Sequence, residues 1–252
     1  MVKHWLLQRV IVLLVLLLGS SCTPVSPPLR LGINLWPGYD FLYLAQQKGF
    51  FAAEGITVEL VEFMSLGDSR RAFERHHVDV MGATVLELLL SDYYSSRAPQ
   101  AFMVVDFSDG GDVLIAQPGV ASLARSPKPR IGLEPASSDL LLLHVALEQV
   151  KLPLSAVEIV PLPQNRLLPA FKNGEIDAAV SYAPTSLSLL KAGGKILFSS
   201  AQSPAAILDV LVADAQTVKN RPAELAAVVR AFYRAVAFAK AHPDAAYAIM
   251  AA

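Results

Sequence analysis

Residues 31–45 have the sequence LGINLWPGYDFLYLA, and this stretch decides the fold. Its first five residues predict a short apolar strand, Pro37 and Gly38 force a turn, and the apolar run that follows predicts a helix. Free backbone N–H groups and the positive end of the helix dipole then meet at the carboxyl end of a strand. Open α/β sheets bind small molecules at such an edge. We therefore expect Trp36 and Tyr39 to form one wall of a ligand cleft.

The same alternation of strand and helix continues along the chain. Strands are predicted at 56–63, 78–83 and 101–107. A helix capped by Gly-Asp-Ser at 67–69 and a second helix at 85–94 separate them. This succession of βαβ units predicts a largely parallel sheet with helices on both faces.

A second unit of similar pattern begins at Arg130. The sequence IGLE at 131–134 matches LGIN at 31–34, and AFKNGEIDA at 170–178 matches AFERHHVDV at 72–80. The two matches occur in the same order, at offsets of 100 and 98 residues. They predict two lobes of like architecture.

These patterns divide the chain into two lobes joined by crossing segments. Residues 29–112 and 210–252 are assigned to the first lobe, and residues 113–209 to the second. The crossings are predicted near 112–117 and 209–213. The lobes could rotate about these crossings while each core stays rigid.

The composition narrows the class of partner. The chain has 252 residues, a formal net charge of −1 and 54% hydrophobic residues. This length suits one or two domains with a sizeable core. The charge leaves no basic surplus to neutralise phosphates, so no nucleic acid partner is expected. The apolar excess lies mainly in the N-terminal segment and in alanine, and only that segment has a pattern suited to a bilayer.

The N-terminal segment has the pattern of an export signal. Lys3 and Arg9 precede an unbroken apolar run at 10–18, which gives way to small residues at 19–21 and then Cys22. A basic start, an apolar run shorter than the roughly 20 residues of a spanning helix, and a small-residue cleavage site describe such a signal. We predict export to the periplasm or the cell surface.

Cys22 is the only cysteine of the chain, so it has no internal disulfide partner. A cysteine directly after a cleavage site resembles the lipobox of bacterial lipoproteins, although those sequences usually have leucine where this chain has Gly19. We predict a lipoprotein signal peptide at 1–21, lipidation of Cys22, and a proline-rich tether at 22–28. The alternative is an uncleaved anchor or an ordinary secretory leader.

Six stretches distributed over almost all of the mature chain carry a family resemblance. They are WPGY at 36–39, LAQQKGFFAAEGI at 44–56, VDV at 78–80, SDGGD at 108–112, GEIDAAV at 174–180 and DVLV at 209–212. In these stretches the chain resembles the solute-binding proteins of ABC importers for nitrate, sulfonates, taurine and thiamine-pyrimidine precursors. The resemblance implies the type II periplasmic-binding-protein fold. In that fold two α/β lobes, each a mostly parallel sheet flanked by helices, close on a ligand between them.

The resemblance also implies the partners of the protein. They are a small-molecule solute, an ABC permease with its ATPase, and the membrane through the N-terminal lipid. The protein would be a monomer without catalytic residues, metal or cofactors. Relatives usually have Trp-Glu-Pro where this chain has Tyr182, Ala183 and Pro184, so the second-lobe contact is expected to differ. They also usually continue beyond the equivalent of Ala252, which indicates a short member or a truncated reading frame.

Ten positions at the predicted strand ends and helix starts are candidate ligand contacts. They are Asn34, Trp36, Gly38, Tyr39, Thr84, Asp109, Ser137, Ser138, Tyr182 and Asp209. Trp36 and Tyr39 would stack on a ring or wall an apolar chain, unless they pack within their own loop. Thr84 would offer its hydroxyl and backbone N–H, although an ordinary helix N-cap has the same pattern. Ser137 and Ser138 would form an oxyanion or carbonyl site in the second lobe.

The charged residues near the expected cleft are mainly acidic. Asp106, Asp109 and Asp112 flank a Gly-Gly pair beside the expected hinge, and Glu134 ends a strand that faces the same cleft. The loops assigned to the mouth contain one arginine, Arg166. A small inorganic anion or a sulfonate usually has an arginine as a bidentate partner. The sequence therefore favours a neutral or amine-bearing solute, although helix N-termini alone can hold anions.

Other polar residues are assigned away from the ligand. His76 and His77 fall at a predicted helix C-terminus, where the dipole favours histidine, so no metal site is predicted. Asp79 and Asp177 begin strands and are expected to fix the local backbone. His144 lies in an apolar helical run without a nucleophile elbow or a paired base, so no hydrolase site is predicted.

Three functions compete on this sequence. The favoured one is a non-catalytic protein that captures a small organic or nitrogen- or sulfur-containing solute and delivers it to a permease. The second is the same trap acting as a sensor for a membrane signalling protein. The third is a thiamine-pyrimidine-synthase-like enzyme. Such enzymes have a cysteine-rich metal motif, whereas this chain has a single cysteine, in its leader.

Overall fold

Ten strands in two sheets form the framework of the computed structural model, which describes residues 27–125 and 127–251. In chain order the strands are β1 (Leu29–Asn34), β2 (Val58–Phe63), β3 (Val80–Thr84), β4 (Pro99–Phe107), β5 (Val113–Ala116), β6 (Arg130–Leu133), β7 (Glu158–Pro161), β8 (Ala178–Ser181), β9 (Lys195–Ser199) and β10 (Leu208–Asp214). The predicted leader, Cys22 and most of the predicted tether lie outside the described residues.

Helices alternate with these strands. They are α1 (Asp40–Gln47), α2 (Phe50–Ala53), α3 (Leu66–Glu74), α4 (Val85–Tyr94), α5 (Ser138–Gln149), α6 (Gln164–Lys172), α7 (Thr185–Lys191), α8 (Ala215–Asn220), α9 (Pro222–Ala241) and α10 (Pro243–Met250). Short 3-10 turns lie at Pro37–Tyr39, Leu154–Ala156 and Ser200–Gln202. Among the described helices, none is both long and apolar enough to cross a membrane.

The two sheets have matching strand orders. The first is β2-β1-β3-β10-β4 and the second is β7-β6-β8-β5-β9. In each sheet four strands run in one direction, and one, β10 or β5, runs antiparallel to both of its neighbours. The predicted α/β fold of two mostly parallel sheets is confirmed, with one antiparallel strand in each.

The antiparallel strand of the first sheet, β10, follows the second lobe in the chain, whereas β5 is the first strand of the second lobe itself. We call the first sheet with its helices the first lobe, residues 27–107 and 208–251, and the second sheet with its helices the second lobe, residues 113–199 without 126. The chain crosses between the lobes at residues 108–112 and 200–207.

The observed crossings lie just before the predicted ones. Residues 113–116 and 209–213, predicted as crossings, are instead buried strand, and the boundary placed at 209 falls inside β10. The physical reason is their apolar sequence. VLIA and LDVLVAD fill central positions in a sheet, where both faces are covered by helices.

The helix starts that face the cleft are set by side-chain caps. Ser65 rather than the Gly-Asp-Ser at 67–69 caps α3, because its extended backbone lets the hydroxyl accept the N–H of Asp68 at 3.1 Å. Thr84 caps α4 in a capping box with Glu87, as its hydroxyl accepts the N–H of Leu86 at 3.1 Å.

Candidate functional site

A small cavity lies between the two lobes, at the strand ends that face each other. It is lined by Asn34, Trp36, Leu66, Thr84, Asp112, Ser138, Tyr182, Ile207 and Asp209. Both lobes and both crossings contribute to this lining. The cavity holds about 10 Å³, which is room for about one water molecule.

The first-lobe wall is built around Trp36, which follows β1. Its indole Nε1 donates to a carboxylate oxygen of Asp106 at 3.1 Å. A Cβ on Gly38 would lie 1.9 Å from the same oxygen, so only glycine leaves room for this hydrogen bond. A Cβ on Gly111 would lie 2.5 Å from the Trp36 ring, so the crossing at 108–112 packs directly against the indole. Trp36 is thereby fixed on two sides.

Tyr39 supports this wall from behind. It is fully buried, and its ring packs on Gly82, where a Cβ would come within 2.8 Å. Its hydroxyl lies 3.4 Å from a carboxylate oxygen of Asp209 and from the carbonyl oxygen of Ala83. Tyr39 therefore positions Asp209, which lines the cavity, and does not line the cavity itself.

Two contacts to Tyr182 join the lobes across the cavity. The Asn34 side-chain nitrogen donates to the Tyr182 hydroxyl at 3.3 Å. The Trp36 and Tyr182 rings meet edge to face, with centroids 5.9 Å apart. The Asn34 side-chain oxygen has no hydrogen-bond partner among the described residues, although the side chain is 3% exposed. One acceptor in the cavity wall is therefore free.

Glu87 of the first lobe reaches the second lobe. One of its carboxylate oxygens accepts the backbone N–H of Thr84 at 2.9 Å and also accepts from the Thr84 hydroxyl. The other oxygen accepts the N–H of Ser138, the first residue of α5, at 3.1 Å. Glu87 thus caps its own helix and the helix opposite.

Glu134 makes the reverse contact from the second lobe. Its carboxylate accepts the N–H of Gly67, in the first turn of α3, at 2.9 Å. The other Glu134 oxygen has no partner among the described residues. Each lobe therefore places one carboxylate on a helix N-terminus of the other lobe, where backbone donors and the dipole favour negative charge.

Ser137 and Asp139 hold the start of α5. The Ser137 hydroxyl donates to the carbonyl oxygen of Glu134 at 2.8 Å and accepts the N–H of Asp139 at 3.3 Å. Asp139, which is buried, accepts from the N–H of Glu134 at 2.9 Å and from the Gln164 amide at 2.8 Å. Ser137 is therefore a helix cap inside a hydrogen-bonded loop.

Burial raises the pKa of every carboxyl group around the cavity that shows a clear shift. It raises the pKa of Asp112 to about 6, with the nearby charges of Asp106 and Glu87 acting in the same direction. Burial, and then the charge of Asp106, raises the pKa of Asp209 well above its ordinary value. The pKa values of Glu87 and Glu134 are also raised, mainly by burial. The site therefore favours protonated acids or a cation that offsets their charge.

The structure sorts the ten predicted contacts into two groups. Six line the cavity: Asn34, Trp36, Thr84, Ser138, Tyr182 and Asp209. Four do not: Gly38, Tyr39, Asp109 and Ser137. Gly38 and Tyr39 lie behind the wall, Ser137 is a cap, and Asp109 is exposed on the crossing because the chain turns its side chain outwards there.

Sequence reasoning missed four residues of the site. Leu66 and Ile207 line the cavity but are ordinary apolar residues without a pattern to mark them. The sequence marks Asp112 as acidic and close to the hinge but does not single it out as a contact. Glu87 was missed although Thr-x-x-Glu at 84–87 is the pattern of a capping box. That pattern predicts the local cap and gives no sign of the bond across the cleft.

Comparison with known families identifies the group to which this architecture belongs. Residues 23–252 match the family model described as the NMT1-like family. The chain belongs to the NMT1-like family. No curated protein sequence matches this NMT1-like chain.

Solved structures match the NMT1-like chain over most of its length. The alkanesulfonate-binding protein SsuA from Xanthomonas axonopodis pv. citri, bound to MOPS, gives a TM-score of 0.80 at 16% identity, over 92% of this chain and 80% of that one. The ligand-binding component of an ABC-type import system from Staphylococcus aureus, with zinc bound, gives a TM-score of 0.77 at 17% identity, over 90% of this chain and 79% of that one. The periplasmic nitrate-binding protein NrtA from Synechocystis PCC 6803 gives a TM-score of 0.68 at 15% identity, over 82% of this chain and 60% of that one.

These matches establish the fold of the NMT1-like chain as that of type II periplasmic binding proteins. The zinc in the Staphylococcus aureus structure belongs to that protein. In the part of this chain that the structure describes, no group of three or more His, Cys, Asp or Glu residues is arranged to hold a metal ion. His76 and His77 lie in a turn after α3, away from the cavity.

Proposed function

We propose that the chain is the extracytoplasmic substrate-binding lipoprotein of an ABC importer. In this proposal it captures a small organic or nitrogen- or sulfur-containing solute between its lobes and delivers it to a permease, without catalysis. One observation carries the proposal: Asn34 and Trp36 line a cavity from one lobe, and Ser138 and Tyr182 line it from the other. The sulfonate-binding and nitrate-binding proteins of like fold support it.

The proposed mechanism is closure about the two crossings. Ligand that touches both lobes makes more contacts when the lobes are closed, so binding shifts the population towards the closed form. The contacts of Tyr182 with Asn34 and Trp36 belong to that form, because they join residues of opposite lobes. The permease would recognise the closed shape.

The proposed location is the outer face of a membrane. Cys22, which lies outside the described residues, would carry the acyl chains, each buried methylene contributing about 0.8 kcal/mol. A Cys22→Ser variant should then appear in the soluble fraction of cells that retain the wild-type chain on membranes. A variant that stays on membranes would show that the leader itself is the anchor.

Solute capture is tested with a thermal-shift screen of the full chain against sulfonates, nitrate, polyamines, pyrimidines and amino-acid-like solutes. A true ligand should raise the melting temperature in a saturable way by mass action. Trp36→Ala and Tyr182→Ala should each weaken its binding, because these side chains line the cavity from opposite lobes. Tyr93→Ala is the matched control, since Tyr93 is 81% exposed on α4. A ligand whose binding is unchanged in both cavity variants would contradict capture between the lobes.

The sensor alternative uses the same trap with another partner. It is separated from import by measuring uptake of the identified solute in cells with and without the chain. Loss of uptake without the chain supports the importer, whereas unchanged uptake with an altered signalling output would favour the sensor.

A further inference from the structure

The chemistry of the cavity wall indicates which class of solute the proposed trap would take. Asp112 and Asp209 line the cavity and are 3% and 4% exposed. Asp106 lies beside Asp209 on the neighbouring strand β4. Among the lining residues, all of which belong to the described part of the chain, none is arginine, lysine or histidine. The wall therefore offers carboxyl groups without a basic residue beside them to offset their charge when they ionise.

One basic side chain beside the start of α3 is engaged elsewhere. Arg71 lies beside Gly67 at the start of α3, but its guanidinium pairs with Asp68 at 2.7 Å and is half exposed. It does not line the cavity. A sulfonate or nitrate in the cavity would consequently face carboxylates without a bidentate cationic partner.

Two helix N-termini at the cleft that would suit an anion are already occupied by carboxylates of the protein. The N–H of Gly67 at the start of α3 is bonded to Glu134, and the N–H of Ser138 at the start of α5 is bonded to Glu87. These are helices of 9 and 12 residues, whose N-termini favour negative charge. An anionic solute would have to displace a carboxylate of the protein from each of them.

A second and independent observation points to a solute that donates hydrogen bonds. The Asn34 side-chain oxygen is buried in the wall without a donor among the described residues. A buried acceptor left unpaired is unfavourable, and a solute N–H would pair with it. The Trp36 and Tyr182 rings beside it provide aromatic surface, which attracts cations.

We propose that the solute carries a protonated amine, whose N–H donors face Asp112, Asp209 and the Asn34 side-chain oxygen. This inference rests on the proposed function and names the substrate class of the same cleft. The cavity has room for a group of about one water molecule, which is also the size of an ammonium head. The carbon chain of a larger amine requires the lobes to part further, so the solute enters before closure.

The test is isothermal titration of the full chain at pH 8 with propylammonium and 1,4-diaminobutane. Propanesulfonate, nitrate and 1-propanol serve as the anionic and neutral probes of comparable size. At this pH Asp112, whose pKa burial raises to about 6, is ionised. We expect saturable binding of an amine at least tenfold tighter than of any anionic or neutral probe.

The variants assign the binding to the cavity. Asp112→Asn, which keeps the shape and removes the charge, should weaken amine binding at least tenfold, and Asn34→Leu should weaken it severalfold. Asp92→Asn is the matched control, because Asp92 is exposed on α4 away from the cavity. A melting curve of each variant without solute verifies its folding. If Asp112→Asn does not fold, Asn34→Leu decides the assignment.

The outcomes separate the solute class from the proposed function. Binding of propanesulfonate or nitrate that depends on Trp36 and Tyr182, without binding of either amine, would overturn the amine assignment and leave capture between the lobes intact. Absence of amine binding, or amine binding unchanged by Asp112→Asn and Asn34→Leu, would overturn it as well. Amine binding that is insensitive to both Trp36→Ala and Tyr182→Ala would instead contradict the proposed function.

Discussion

In the first lobe β1 ends at Asn34 and leads into the loop of Trp36 and Tyr39, whereas in the second lobe the matching strand is followed by Glu134 and a helix capped by Ser137. At the offset of 100 residues Asn34 corresponds to Glu134. Both side chains reach across the cleft, Asn34 to Tyr182 and Glu134 to Gly67. The two lobes therefore use one position for the same task with different chemistry.

Away from the cleft the lobes repeat each other closely. Asp79 accepts the backbone N–H of Arg30 at 2.9 Å, and Asp177 accepts that of Arg130 at 2.8 Å. Each aspartate also pairs with the guanidinium of the same arginine. The prediction that these aspartates fix the local backbone is confirmed. The comparison teaches that the repeat is retained where it builds the sheet and changed where it faces the cleft.

The largest expected effect comes from removing Tyr39, the residue that makes the first-lobe loop differ from its counterpart. Tyr39→Ala leaves a cavity against Gly82 and removes the hydroxyl beside Asp209. The free energy of unfolding should fall by about 3–5 kcal/mol, as for other buried aromatic residues. Urea denaturation measures this. A loss below about 1 kcal/mol would mean that the loop does not depend on this ring.

A smaller effect is expected from Asp112→Asn, and it should depend on pH. Since burial raises the pKa of Asp112 to about 6, the native state favours the protonated acid. The stability of the wild type should fall as the pH rises from about 4 through 6, by up to about 3 kcal/mol for this group.

The pH profile of unfolding checks this prediction. Asn does not titrate, so the variant should lack the part of the pH-dependent loss of stability that is due to Asp112. It should therefore be more stable than the wild type above pH 6. The variant should keep the loss of stability with rising pH that is due to Asp40, whose pKa burial also raises to about 6. Identical profiles for the two proteins would contradict the assigned role of Asp112 burial.

The repeated ion pairs should respond equally to equal changes. Asp79→Ala and Asp177→Ala each remove hydrogen bonds to the backbone and guanidinium of one arginine, and we expect each to lower the free energy of unfolding by about 1–3 kcal/mol. Urea denaturation of both variants, with Asp92→Ala as an exposed control, sharpens the comparison. A difference above about 1.5 kcal/mol would show that the lobes do not rely on these pairs to the same degree.

The smallest effect is expected from Tyr182→Phe, which removes one hydrogen bond between the lobes. The 3.3 Å bond from Asn34 would be lost while the ring contact with Trp36 remains. A cost of about 1 kcal/mol to the closed form would raise the open population about fivefold. Small-angle X-ray scattering should then show a larger radius of gyration without solute. An unchanged radius would mean that this bond does not hold the lobes together.

The sequence predicts the scaffold well because its signals are local. Strands from apolar runs and the helix at 85–94 depend on neighbouring residues, and the repeat at offsets of 100 and 98 residues is recognised by matching such short local segments. Cavity residues such as Trp36 and Ser138 could be predicted because strand ends and helix starts mark the binding edge of an open sheet.

The remaining features depend on contacts between distant residues. Glu87 and Ser138 are 51 positions apart and in different lobes, so no local pattern relates them. The exact crossings were missed because DVLV has the same apolar sequence whether it connects lobes or fills the centre of a sheet. Asp109 was predicted as a contact because it flanks the glycine pair beside the expected hinge, but the direction of its side chain depends on the turn at that pair.

The late position of β10 in the chain also governs how the protein can be made. β4 lies at the edge of the first sheet and pairs only with β10, so residues 99–107 have no strand partner until residues 208–214 have been synthesised. The first sheet is therefore complete only after the second lobe has been synthesised. A chain stopped between the two would expose an unpaired strand, which is a site for aggregation.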